Sequence, residues 1–242
     1  MKRLLLPALL LTTLTACTAA PAGTLPAAAP TPTPASTPAP TAAPAPADAL
    51  TPEEKIGQLF IIRPDALDLT LLQETINDAK ADGVTMLTDA MRETLQTYPV
   101  GGICQFGKNI TDPEQLAQFN ADLQAASRTP LFIAVDEEGG TVTRASRNPN
   151  LFSETFKSPQ KLNYIGGIEE ILRDTDTRSR ELRALGINVN FAPVCDVSTD
   201  PKDFIYDRTL GQDANMTADY VRLVVPAMTE GGTLPGLKHF PG

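Results

Sequence analysis

The chain is 242 residues long, with 20 Lys and Arg against 29 Asp and Glu and a formal net charge of −9. An acidic surplus of that size argues against nucleic acid and other polyanionic partners and is compatible with a neutral ligand. One histidine and three cysteines are too few for a metal cluster or a disulfide-stapled scaffold, and without tryptophan any apolar ligand face must rest on Phe, Tyr or aliphatic groups.

At the N-terminus, Lys2-Arg3 precede the apolar run Leu4 to Leu14, which leads into small residues and Cys17. The run is too short for an ordinary membrane-spanning helix and has the layout of a signal peptide. Leu14-Thr15-Ala16-Cys17 resembles the lipobox of bacterial lipoproteins. That resemblance implies cleavage before Cys17, lipidation there, and an extracytoplasmic protein anchored to the membrane by lipid alone; the other reading is a plain secretory signal with an incidental cysteine. Residues 18–49 are almost entirely Ala, Pro and Thr, a composition that buries no core and favours extended polyproline conformers, hence a semi-rigid spacer. Residues 50–242 form the globular part.

Within it, Thr51-Pro52-Glu53-Glu54 announces a helix, with a capping threonine, proline at the first position and glutamate three residues after the cap. Leu59 to Ile62 is the first candidate strand, residues 66–98 read as helical with a break at Gly83, and Val100 to Phe106 is the second strand. Thr111-Asp112-Pro113-Glu114 opens a helix whose Leu116, Phe119, Leu123 and Ala126 recur at the spacing of one buried stripe. Leu131 to Val135 is apolar without interruption, which suits a strand covered on both faces. A helix over about 167–185 carries Ile168, Ile171, Leu172, Leu182 and Leu185 and ends at Gly186; a fourth strand follows at Ile187 to Val194. Met216 to Glu230 is the last helix, with Val221, Val224, Val225 and Met228 on one side and Gly231-Gly232 as its stop. A short fifth strand lies around Leu234 to Lys238. Cys104 and Cys195 fall on strands with one strand between them, roughly twice the ~4.8 Å strand spacing and beyond the ~7 Å reach of a disulfide, so both are expected as free buried thiols.

Alternating strands and helices with apolar strands predict a parallel α/β sheet, either open and doubly wound or closed as a barrel. Polar residues gather at strand ends: Asp136-Glu137-Glu138-Gly139-Gly140 after the third, Asp196 after the fourth, Lys238-His239 after the fifth. That is where a (β/α)8 barrel keeps its reactive groups. No Gly-x-Gly-x-x-Gly and no Gly-Lys-Ser/Thr follows a strand, so the usual nucleotide cradles are missing. On residues alone, Asp136 and Asp196 are the candidate catalytic carboxylate pair.

Four blocks in order, Asp136 to Arg144, Asn190 to Val197, Asp207-Arg208-Thr209-Leu210-Gly211 and Lys238-His239-Phe240-Pro241-Gly242, resemble glycoside hydrolase family three in its β-N-acetylhexosaminidase branch, over residues 51–242. The resemblance implies a (β/α)8 TIM-barrel fold, incomplete here with about five of eight strands, and hydrolysis of terminal non-reducing β-N-acetylglucosamine from cell-wall glycans. It assigns substrate binding to Asp136, Arg144, Arg208, Lys238 and His239. It also implies a retaining route through a glycosyl-enzyme, with no metal and no other cofactor. The family takes its nucleophile from a later strand and, in this branch, its acid/base histidine from the loop after Lys-His-Phe-Pro-Gly. The comparison thus overrules the Asp136/Asp196 pair, and the catalytic groups are expected beyond Gly242, this chain being a truncated fragment that is inactive alone. A non-catalytic amino-sugar-binding lipoprotein and a β-glucosidase of the same family are the competing functions.

The binding assignment is chemically sensible, because sugar hydroxyls both donate and accept and charged partners make the stronger hydrogen bonds. Simpler roles compete with it: Asp136 as a cap, Arg208 in a surface ion pair, His239 as a structural histidine. Glu137 and Glu138 are expected to be solvated or paired with Arg144, and Asp196 to order its loop or neighbouring basic groups. Five strands fall short of a closed ring, so residues 50–242 alone are expected to be poorly stable or to aggregate through open sheet edges.

Overall fold

A computed structural model describes residues 49–241; the signal segment, Cys17 and the spacer through residue 48 lie outside the described residues. Helix α1 (Pro52–Gly57) opens with the reciprocal cap its sequence announces: the Thr51 hydroxyl accepts from the Glu54 backbone N–H, and the Glu54 carboxylate accepts from the Thr51 N–H. Strand β1 (Ile61–Ile62) follows. The helix expected across 66–98 is largely absent. That stretch holds a 3₁₀ turn at Pro64–Leu67, the short α2 (Gln73–Asn77), irregular chain, and α3 (Asp89–Thr97). Aspartates capture the backbone there: Asp68 accepts from the Thr70 N–H, Asp78 from the Lys80 N–H, and buried Asp65 from the Val84 N–H. Such local bonds compete with the helical ladder, and apolar periodicity does not register them.

Strand β2 (Gly102–Gln105) leads to α4 (Pro113–Ala126), capped by Asp112 and burying Leu116, Phe119, Leu123 and Ala126 as its spacing predicts. After β3 (Phe132–Val135) comes α5 (Pro159–Ala184), which starts under a Ser158 cap, well before the expected 167. The Gly166-Gly167 pair interrupts it with non-helical dihedrals, and that break hid its first turns from a periodicity reading. Gly186, at φ +82°, ends the helix in the left-handed conformation expected of it. Strand β4 (Val189–Asn190), α6 (Ala214–Glu230) and β5 (Leu234–Pro235) complete the described elements.

All five strands are parallel and pair in chain order, β1-β2-β3-β4-β5. A doubly wound sheet reverses its strand order at a switch point; this one does not, which decides for the barrel type, with the ring open among the described residues. Alternate strand residues divide the core. Ile103 and Ile133 face the layer of Leu67, Met91, Leu116 and Phe119, while Cys104, Ala134 and Val189 pack together with Phe106 and Phe191. A further cluster of Leu162, Ile171, Tyr220, Val224 and Met228 joins α5 to α6. β3 is covered as expected except at Phe132, which is 46% exposed. Both cysteines are free; Cys104 is buried on β2 as expected, whereas Cys195 is partly exposed and lies in the loop beyond β4 rather than on a strand. Burial, reinforced by Asp136, pushes the Cys104 thiol up to about 12.

Candidate functional site

Successive strand ends set the site. Asp136 follows β3, Asp196 follows β4, and Lys238-His239 follow β5, where Lys238 bridges back to Val194. The loop after β3 is held from two sides. Asn190 of β4 donates to the Glu137 carbonyl and accepts from its N–H, both at 2.9 Å. Arg178 of α5 donates to the carbonyls of Glu137 and Glu138, at 3.1 and 2.7 Å, and is itself ion-paired with Asp174. Gly139 and Gly140 sit at φ +92° and +69°, and a Cβ on Gly139 would run into the Lys157 carbonyl, so glycine is needed for the turn.

Glu137 and Glu138 are not the solvated pair expected from sequence. Glu137 is fully buried, and its carboxylate accepts from the backbone N–H groups of Arg144 and Ala145, each at 2.8 Å, and from the Ser146 hydroxyl. It therefore orders the loop that carries Arg144 and leaves the guanidinium alone. Glu138, 4% exposed, accepts a bidentate pair from Arg208 at 2.8 and 2.9 Å and lies 2.5 Å from the Lys238 ammonium. A buried carboxylate persists only with such partners. Lys238 also donates to Asp136 at 2.7 Å. Hydrogen bonding to Glu138 holds the Arg208 guanidinium more firmly charged than usual.

Arg208 completes a chain of contacts through His239. One of its N–H groups faces His239 Nε2 at 3.1 Å, and His239 Nδ1 lies 2.7 Å from Asp196. Guanidinium nitrogens only donate, so in this contact Nε2 accepts and Nδ1–H donates to Asp196. Asp196 also accepts the His239 backbone N–H, which agrees with the role of ordering its neighbours and leaves little of it for nucleophilic attack.

The five residues singled out by sequence, Asp136, Arg144, Arg208, Lys238 and His239, all line one open hollow of about 500 Å³, together with Glu138. None is scattered elsewhere. Arg208 is more than a surface pair, and Asp136 bonds a lysine rather than capping the loop that follows it. Below them the gap between α5, α6 and β4 is nearly filled by side chains, with about 20 Å³ left. Glu137, Glu138, Asn190 and Arg178 were missed as site-builders. Arg178 had a signal: it falls at buried-stripe spacing with Ile171, Thr175 and Leu182, where an arginine needs a special partner.

Residues 51–242 match the family model described as the glycosyl hydrolase family 3 N-terminal domain. The chain belongs to glycosyl hydrolase family 3. Among family 3 proteins, beta-hexosaminidase LpqI of Mycobacterium tuberculosis is 31% identical over 198 residues, covering 80% of this chain and 44% of that protein. A family 3 beta-N-acetylglucosaminidase from Paenibacillus has a solved structure that matches with TM-score 0.66 at 31% identity, over 80% of this chain and 34% of that one. NagZ of Neisseria gonorrhoeae, solved in complex with N-trifluoroacetyl-D-glucosamine, matches with TM-score 0.59 at 27% identity, over 66% of this chain and 48% of that one. The chain spans less than half the length of the curated relatives it matches. The family 3 resemblance carried by the four sequence blocks is thereby established, and with it the (β/α)8 type of fold.

Proposed function

We propose that the hollow holds a terminal non-reducing β-N-acetylglucosamine and that this domain serves an exo-acting β-N-acetylhexosaminidase of cell-wall glycans. The observation that carries the reading is the convergence of Asp136, Arg144, Arg208, Lys238 and His239, from the ends of β3 and β5 and the loops after β3 and β4, on one hollow. Relatives named beta-hexosaminidase, and a neighbour holding an N-acylated glucosamine, support it. Lys238 occupies one Asp136 oxygen, leaving the other for sugar hydroxyls. Arg144 supplies fixed donors, and the His239 ring can exchange its Arg208 contact for a hydroxyl.

These groups are assigned to recognition rather than bond cleavage. A retaining glycosidase needs a free nucleophile beside a proton donor. Glu138 is enclosed by two cations, Asp196 is engaged by His239, and Asp136 is engaged by Lys238. Titration calorimetry of the 242-residue chain with N-acetylglucosamine should give saturable binding, and Asp136→Ala should weaken it about 10- to 100-fold, the value of one charged hydrogen bond. Absence of binding rejects the sugar site. Turnover of a chromogenic N-acetylglucosaminide by this chain rejects the division between recognition and cleavage, and preference for the glucoside points to β-glucosidase. The same reading includes lipid attachment at Cys17 and an extracytoplasmic location; metabolic labelling with a fatty acid that persists in Cys17→Ala would reject that part.

A further inference from the structure

A second hollow, of about 530 Å³, lies where the chain leaves β1, β2 and β3, and shares Arg144 with the sugar hollow. Its wall carries Arg63, Lys108, Arg144 and Arg147, with Phe106 and Thr143, and no carboxylate. In a protein of net charge −9 that concentration of cations is unexpected. Lys108 is accounted for by buried Asp65 at 3.5 Å. Arg63, Arg144 and Arg147 form no ion pair among the described residues. Arg63 and Arg144 both lie over the Phe106 ring, at 4.5 and 5.6 Å from its centroid, a contact that orients guanidinium groups without neutralising them.

Two polar atoms here have no partner. Thr143 is 1% exposed, and neither its hydroxyl nor the buried Nε of Arg144 makes a hydrogen bond among the described residues. A buried donor left unmade costs about 1–3 kcal/mol, so the wall of this hollow holds spare donors as well as spare positive charge. Planar guanidinium forks beside a free hydroxyl suit an oxyanion.

We infer that this groove is an anion subsite that takes a carboxylate or phosphate carried by the saccharide whose amino sugar occupies the adjoining hollow. The inference rests on the sugar reading for what brings the anion there, and on the groove's own residues for the anion. Arg63 and Arg147 supply the recognition, Arg144 joins the two hollows, and Thr143 donates from the wall.

The test is calorimetry of the full chain at low salt with four probes: N-acetylglucosamine, inorganic phosphate, N-acetylglucosamine 6-phosphate and N-acetylmuramic acid. The two anionic sugars place the charge at different ring positions. Phosphate should bind, and at least one anionic sugar should bind about tenfold tighter than N-acetylglucosamine. Arg63→Gln/Arg147→Gln should remove both effects while neutral sugar binding stays unchanged. Thr143→Val, which removes only the hydroxyl, should weaken the anions severalfold in a chain whose circular dichroism is unaltered. Anion binding that is absent, or equal in wild type and both variants, overturns the proposal. Phosphate binding without any N-acetylglucosamine binding overturns the sugar reading and leaves the anion site standing.

Discussion

Enclosed between Arg208 and Lys238, Glu138 has little water with which to share its charge. Removing one partner of such a buried arrangement costs ~3–5 kcal/mol, because the charges left behind are uncompensated. Glu138→Gln should therefore lower stability by about 3 kcal/mol in urea denaturation and weaken sugar binding as Arg208 and Lys238 reorient; a change below about 0.5 kcal/mol would contradict the buried pairing. Cys104 offers a second check. A thiol pushed to about 12 by burial is about one part in 10⁴ thiolate at pH 8. Iodoacetamide mapping by mass spectrometry should modify partly exposed Cys195 first and reach Cys104 only in denaturant. The candidate site residues were legible because the ordered blocks that carry them resemble family 3; only Asp136, Lys238 and His239 also stand near strand ends. Glu137 and Glu138 were misread because adjacent acidic residues in a loop look solvated; the backbone N–H groups of Arg144 and Ala145 hold the first, and cations from the β5 end and the Arg208 loop hold the second.

Among the elements, the loop after β3 depends on a glycine pair and an arginine from α5. Gly139 combines a positive φ with close approach to the Lys157 carbonyl, so Gly139→Ala carries both backbone strain and a steric conflict. It should lower stability by ~2–4 kcal/mol and sugar affinity at least tenfold, measured by denaturation and calorimetry; a variant that binds normally would show that the loop is not what positions Asp136. The helices that carry one apolar stripe, α4 above all, were legible because nothing competes with their period. The segment before α3 was not, since Asp65, Asp68 and Asp78 take backbone N–H groups that a helix would use.

At the scale of the molecule, the sheet presents β1 and β5 as its two edges among the described residues, with Leu59, Phe60, Leu234 and Leu237 exposed nearby. Unpaired edges flanked by apolar side chains recruit other strands. The 242-residue chain should therefore self-associate as its concentration rises, in light scattering coupled to size exclusion; a monomer with a reversible, cooperative melt across that range would contradict this. The barrel type was legible from strand-end polarity, whereas the openness of the sheet is a property of pairing that no single segment encodes.

Strand order has a temporal side. Each strand docks on the one synthesised immediately before it, so no strand has to wait for a partner made two or more strands later. Each pairing still has to wait for a helical crossover to be made, and parallel sheets assembled this way form slowly. Asp136 gains its lysine only when the β5 end arrives, so the binding hollow cannot form until all five described strands have been made.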